Sequence, residues 1–260
     1  MHVPPRRLTT RLEVDPEWTR EACNWLGVSR QRPSPALWAL LLMPERIDAD
    51  LAWPEGTLQV YQRSVSRAGA VPSGVDVVLT PSVARPWRGE GTAVALQVDA
   101  SSGGRLVASA TTVGRVPAIP RAGGSEATVT VPPHPVVDGP GRSETFVVSD
   151  ADVLAFGRLV RERYGVHADA GTAWASGYKN IVVQGPTLMA RTAQCLRFSS
   201  AGLLEMWFTH PVPSGAAVTA TSPDGQAWAL RIASQSRPVA YTVVRDARDA
   251  EGALAAPSPH

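Results

Sequence analysis

The spacing of apolar residues near the amino terminus predicts two helices. Between residues 16 and 28 apolar side chains recur every three or four positions, which predicts a short amphipathic helix that ends at Gly27. A second helix is predicted from about Pro35, with Ser34 as its N-cap. This second helix is apolar almost all round, which is typical of a buried helix that other elements surround.

Four strand-like segments follow the buried helix. They are rich in Val, Leu and Thr and are bounded by Gly, Pro or Ser. Their sequences are TLQVYQRSV, GVDVVLT, GTAVALQVDA and GRLVASATTVG. A helix followed by several such strands predicts an α+β unit with an antiparallel sheet.

The second half of the chain repeats this order of elements. It predicts a strand at 145–149, a helix at 150–164, a loop, a buried helix from Pro186 to about Leu196, and strands to about Arg245. The tetrapeptide VPSG occurs at 71–74 and again at 212–215, each time between two predicted strands. The matching positions favour a duplicated fold.

A stretch dense in Pro and Gly divides the two halves. We therefore predict a first domain at 1–115, a linker at 116–142 with room for one strand, and a second domain at 143–248 that carries the site. A flexible tail is predicted at 249–260.

Composition and charge narrow the functional classes. The chain is 44% hydrophobic and 18% charged, which indicates a globular protein, and its scattered arginines and net charge of +2 argue against nucleic acid as a partner. Cys23 and Cys195 are too isolated to indicate a disulfide framework or a zinc site. The longest apolar run, residues 36–43, is too short to span a bilayer, so we expect a cytoplasmic protein that does not insert into membranes.

The segment from residue 145 to residue 190 resembles a known family. After the predicted helix come ERYGVHAD and ASGYKNIVVQGP. The order is similar to that of the MaoC-like (R)-specific enoyl-thioester hydratases and dehydratases, in which a D-x-N-P-[ILV]-H-x-D loop precedes a glycine that opens a long central helix. The resemblance implies an α+β double hotdog, in which each of two antiparallel sheets wraps round a central helix, with a degenerate first repeat.

The resemblance also implies roles for individual residues. His167 matches the catalytic His, Glu162 stands where the family has its catalytic Asp, and Gly185 matches the oxyanion-hole Gly. Asp169 matches the second Asp of the loop, and its residue type also favours a role as a turn or cap residue. The chain departs from the pattern at Tyr164, which replaces an Asn, and in two further positions.

These two departures are Gly165 in place of the Pro and Gln184 in place of the His that often precedes the oxyanion glycine. The predicted substrate-binding residues are Tyr164, Asp169 and Gln184, which stand at motif positions, and Trp174 and Tyr178, which lie on the loop before Gly185.

The implied reaction explains why these groups are needed. Adding water to a 2-enoyl thioester, or removing it from a 3-hydroxyacyl thioester, requires a carboxylate and an imidazole that hold one water and move one proton. Negative charge builds on the thioester oxygen, and an N–H at a helix N-terminus such as that of Gly185 can stabilise it. The substrate would be carried by coenzyme A or an acyl carrier protein, with no separate cofactor and no metal.

Two other functions stay open at this point. In the first, a hotdog cyclase closes a ring on a polyketide-type substrate, with Glu162 and Tyr164 as acid and base. In the second, a non-catalytic partner subunit only binds acyl chains. The oligomeric state is also open, since a double hotdog either stays a single chain or forms a homodimer.

Overall fold

Each half of the chain contains an initial strand, helices and then four strands. The computed structural model describes residues 7–29, 31, 34–47, 57–67, 69–85, 93–115, 128–160, 165–198 and 201–247. The first half contains β1 (Leu8–Glu13), α1 (Pro16–Leu26), α2 (Pro35–Leu41), α3 (Pro44–Ile47), β2 (Leu58–Ser66), β3 (Gly74–Arg85), β4 (Ala93–Ser102) and β5 (Arg105–Arg115). The second half contains β7 (Arg142–Val147), α4 (Asp150–Val160), α5 (Ala170–Ala175), α6 (Gly185–Cys195), β8 (Gly202–Phe208), β9 (Ala217–Ser222), β10 (Ala227–Ile232) and β11 (Ala240–Asp246). The short strand β6 (Thr128–Thr130) lies between them.

The strands of both halves form one sheet in the order β1-β3-β4-β5-β2-β8-β11-β10-β9-β7. Neighbours in this order are antiparallel, and β6 adds to β3 in parallel. The two halves join where β2 pairs with β8, for example with Gln62 opposite Met206. Each first-half strand has its counterpart at the same distance from this junction, which confirms the predicted duplication.

The two central helices lie on one face of the sheet. All seven residues of α2 are buried, and α2 packs against β2, β5 and α6. In turn α6 packs against β2, β7 and β8. Buried side chains from both halves, such as Trp38, Met189 and Leu204, belong to a single hydrophobic core. The architecture is the predicted double hotdog.

Local signals set the ends of the first two helices. The Asp15 carboxylate accepts a hydrogen bond from the Glu17 N–H at 2.8 Å and caps α1, which ends at Gly27 with a φ of 66°. Ser34 caps α2, as its position before Pro35 predicts.

The repeated VPSG tetrapeptide has a similar task in both halves. The Val14 N–H donates to the Ser73 carbonyl at 2.8 Å, and the Gly215 N–H donates to the Val148 carbonyl at 2.8 Å. Val14 and Val148 directly follow the edge strands β1 and β7. Each tetrapeptide therefore ties the end of an edge strand to the loop between the next two strands of the same half.

The predicted linker, residues 116–142, is more structured than expected. Its residues 116–127 lie outside the described residues, but Val131 is buried and the Trp207 Nε1–H donates to the Pro132 carbonyl at 2.8 Å. The His134 ring stacks on Tyr241 with 4.0 Å between ring centroids. This part of the linker packs on the outer face of the sheet, which is the face opposite α2 and α6. It shields apolar side chains of that face from solvent.

Two details differ from the sequence expectation, and two further predictions lie partly or wholly outside the described residues. The strand predicted at 145–149 begins earlier, at Arg142, and the loop predicted before the second buried helix contains α5 and a 3-10 helix at Gly165–His167. The helix predicted at 150–164 is described to Val160, and the predicted tail at 249–260 lies outside the described residues. Within the described residues, no helix is long and apolar enough to span a bilayer.

Candidate functional site

His167 is fixed to the segment that leads into α6. Its Nδ1 lies 2.6 Å from the Val182 carbonyl oxygen, and the Val182 N–H donates to the Val166 carbonyl at 3.0 Å. A backbone carbonyl only accepts hydrogen bonds, so Nδ1 carries the hydrogen. In the neutral ring Nε2 is then the nitrogen with the lone pair, and it is the one that can take up a proton.

The surroundings of His167 favour this neutral ring. Burial lowers the pKa of His167 below its ordinary value, and the hydrogen bond to Val182 offsets this only in part. The imidazole is therefore neutral at pH 7. A general base requires that protonation state.

The N-terminus of α6 differs from that of its first-half counterpart, α2. In α2 the buried Ser34 hydroxyl accepts from the Leu37 N–H at 3.4 Å and closes the first turn. At the start of α6 the N-cap residue Gln184 makes no side-chain cap, and Gly185 and Pro186 follow. Since first-turn N–H groups have no acceptor within the helix, the start of α6 offers N–H groups without a side-chain cap and a positive electrostatic potential.

Side chains from both halves enclose the α-carbon of Gly185. A Cβ at this position would lie 2.5 Å from Oε1 of Gln59 on β2 and 3.0 Å from Cζ of Phe208 on β8. A glycine here lets a thioester approach the backbone closely, because it has no Cβ. The structure adds another reason, because the first half places Gln59 where a larger residue would need room.

Gln184 is buried between α4 and α6, and its predicted role in substrate binding stays a prediction. Its Nε2 donates to the Val153 carbonyl at 3.3 Å, and its Oε1 accepts from the Thr187 hydroxyl at 3.0 Å. The residue is only 3% exposed. Because both ends of the amide bond within the protein, Gln184 holds α4 to α6.

The predicted substrate-binding residues on the loop before α6 differ in their surroundings. The Asp169 carboxylate caps α5 and accepts from the N–H and hydroxyl of Thr172, and these bonds lower the pKa of Asp169. Trp174 on α5 is 72% exposed, and its predicted contact with the substrate stays a prediction. Tyr178 is half-buried, and its N–H donates to the Ala173 carbonyl.

Of the predicted catalytic residues, the structure describes His167 and Gly185, and Gln59 and Phe208 lie beside Gly185. Glu162 and Tyr164 lie outside the described residues. No group of three or more His, Cys, Asp or Glu side chains in the described part of the chain is arranged to hold a metal ion.

Comparisons with known proteins identify the architecture. No protein-family model and no curated protein matches the chain. Among solved structures, HtdX of Mycobacterium tuberculosis matches with a TM-score of 0.68 and 19% identity over 93% of this chain and 100% of that one. A MaoC-like dehydratase from Phytophthora capsici matches with a TM-score of 0.68 and 14% identity over 94% of this chain and 97% of that one. The chain has the MaoC-like fold.

The chain is also similar in structure to a protein that is named for a different activity. An acyl-ACP thioesterase from Bacteroides thetaiotaomicron matches with a TM-score of 0.53 and 11% identity over 92% of this chain and 95% of that one. One fold can support different reactions, so the reaction of this chain has to be argued from its own side chains.

Proposed function

We propose that this chain is a hydro-lyase that adds water to a 2-enoyl thioester or removes it from a 3-hydroxyacyl thioester. The observation that carries the proposal is the state of His167. A hydrogen bond to Val182 fixes the proton on Nδ1, and burial lowers the pKa of the ring, so that Nε2 is unprotonated at pH 7 and can accept a proton. The MaoC-like fold supports this choice of reaction.

In the proposed hydration, a water molecule adds its hydroxyl group to the β-carbon, and a proton is added to the α-carbon. His167 moves the proton, and the Gly185 N–H stabilises the negative charge on the thioester oxygen. We assign Glu162 to orienting or activating the water and Tyr164 to contacting the substrate, on the strength of their positions in the family's motif.

The proposed substrate carries coenzyme A or an acyl carrier protein on its thioester, and we propose a cytoplasmic role in polyketide or other secondary metabolism. Hydration and thioester hydrolysis have different products. Hydration removes the enoyl group and keeps the thioester, whereas hydrolysis releases a free thiol.

The test is incubation with crotonyl-coenzyme A while the enoyl-thioester absorbance and free thiol are followed together. We expect the absorbance to fall without release of thiol. Glu162→Ala should abolish turnover, and Glu162→Asp should retain it, because the shorter carboxylate restores the family's residue. Thiol release in step with the loss of absorbance would contradict the proposal, and so would crotonyl-coenzyme A binding without any turnover, which a non-catalytic subunit would show.

A further inference from the structure

Strand β2 contains a bulge near the junction of the two halves. Gln59 lies opposite Gly114 of β5 while Tyr61 lies opposite the adjacent Val113, so Val60 is an extra residue. Val60 and Tyr61 both pack into the hydrophobic cluster on the outer face of the sheet. The bulge thus shifts the alternation of side chains in this strand by one position.

The shift turns Gln59 toward the helices. In a regular strand, residues three positions apart point to opposite faces. Here the Gln59 Nε2 donates to the Gln62 Oε1 at 3.1 Å, so both side chains lie on the same face. Gln62 is only 1% exposed. A buried amide therefore holds Gln59 in place.

Gln59 contacts the start of α6 from the other half of the molecule. Its Oε1 lies 2.5 Å from the position of a Gly185 Cβ, closer than Cζ of Phe208 at 3.0 Å. With its Nε2 engaged by Gln62, the side chain presents a polar but uncharged oxygen beside the glycine. The bulge and Gln62 together bring this contact about.

We propose that Gln59 is a positioning residue of the thioester site, which fixes the start of α6 and keeps the place beside Gly185 free of negative charge. The inference rests on the proposed function, in which the Gly185 N–H receives the charge that develops on the thioester oxygen. A negative charge on residue 59 would lie close to that oxygen and raise the energy of the transition state. It would also interact favourably with the N-terminus of α6.

Gln59→Glu separates these two effects, because Glu has nearly the same size as Gln. Gln62 can turn its amide to donate to the new carboxylate. At pH 8 we expect the melting temperature to stay equal or rise. We expect kcat for crotonyl-coenzyme A hydration to fall on the order of 10²-fold, from one unit charge about 5 Å away at an effective dielectric of about 20. KM should change little, because the thioester oxygen is uncharged in the ground state.

The matched control is Gln226→Glu, the same exchange at an exposed turn between β9 and β10. It should keep both kcat and KM. The inference is overturned if Gln59→Glu keeps the wild-type kcat, or if its activity falls only as far as its stability does, as a purely structural role would require.

A second readout does not depend on turnover. Butyryl-coenzyme A, a saturated thioester that cannot be hydrated, is labelled with ¹³C at its carbonyl, and its stretching frequency is measured by infrared spectroscopy. Wild type should lower this frequency relative to the free ligand, because a hydrogen bond polarises the carbonyl, and Gln59→Glu should lower it less. Equal shifts overturn the inference alone. Wild type that shifts the frequency without hydrating crotonyl-coenzyme A overturns the proposed reaction alone, and absence of binding overturns both.

Discussion

Arg191 on α6 connects the helices of the two halves. Its guanidinium lies over the Trp25 ring of α1, 4.5 Å from the centroid, and its Nη1 donates to the Trp25 carbonyl at 2.9 Å. Its Nη2 pairs with Asp152 of α4. The side chains of Arg191 and Asp152 are 14% and 24% exposed, so the pair is mostly shielded from water.

Replacing Arg191 with Met keeps the apolar stem and removes the charge. Asp152 would retain its hydrogen bonds from the Ser149 N–H and hydroxyl but lose its cation, and the Trp25 carbonyl would lose this donor. Breaking a fully buried pair costs about 3–5 kcal/mol, and breaking an exposed pair costs under about 1 kcal/mol. The residual exposure of Arg191 and Asp152 places the expected loss of unfolding free energy at about 2–3 kcal/mol. For a chain of this length that corresponds to a fall in melting temperature of about 5–10 °C.

The assay is thermal and denaturant unfolding of Arg191→Met, Asp152→Asn and the double variant. Because the two side chains touch, the double variant should lose less stability than the sum of the single ones, with a coupling of about 1–2 kcal/mol. Arg20→Met is the control, since its pair with Glu17 is 69% and 84% exposed and contributes little. A melting temperature of Arg191→Met within about 2 °C of wild type would refute this account of how the halves are held together.

Four further outcomes follow from the site and the sheet. The kcat/KM for hydration should fall on the acid side with a midpoint below 6.5, the ordinary value for His, because burial lowers the pKa of His167. Because the pKa of His167 is lower in the folded state than in the unfolded state, protonating the ring destabilises the folded protein. The stability that the neutral ring contributes should be fully present above the unfolded-state pKa and be lost as the pH falls from that value through the folded-state pKa. Urea titrations at pH 5 to 8 would measure this loss. Gly185→Ala should lower the free energy of unfolding by about 1–3 kcal/mol through overpacking, and should also lower kcat/KM. Adding Gln59→Ala should recover much of the lost stability, because it removes the nearest contact of the new Cβ. A double variant as unstable as Gly185→Ala would contradict that contact. Trp207→Phe should lower the free energy of unfolding by about 1–2 kcal/mol, since it removes the hydrogen bond to Pro132 and leaves that carbonyl without this donor, and unchanged stability would show that the linker contributes little there.

Elements with strong local signals could be predicted from the sequence. Ser34 before Pro35 and the all-apolar segment after it were enough to predict α2, because capping and burial act within one turn of the helix. The repeated VPSG indicated the duplication before any pairing of strands was known. The signal for β1 is weaker, because only Leu8 and Leu12 are apolar and the alternating burial of this strand is seen only in the structure.

Other features depend on contacts that no local pattern contains. The helix α5 has six residues and an Asp cap but only one buried side chain, so its sequence has no apolar periodicity that would predict a helix. Gln184 occupies a motif position, yet its environment is set by α4. Gln59 lies far from the motif in sequence and reaches Gly185 only because a bulge in β2 and the pairing of β2 with β8 bring the halves together.

The central claim is that His167 transfers the proton in a hydration reaction, and His167→Asn tests it most directly. Asn can still donate a hydrogen bond toward the Val182 carbonyl, as His167 Nδ1 does, but it has no basic nitrogen in the place of Nε2. The measurement is the rate of crotonyl-coenzyme A hydration by wild type and variant at pH 7, with circular dichroism to compare their folds. The account predicts turnover by wild type and a loss of at least about 10²-fold in a variant that folds normally. A folded variant that hydrates crotonyl-coenzyme A at the wild-type rate would contradict it.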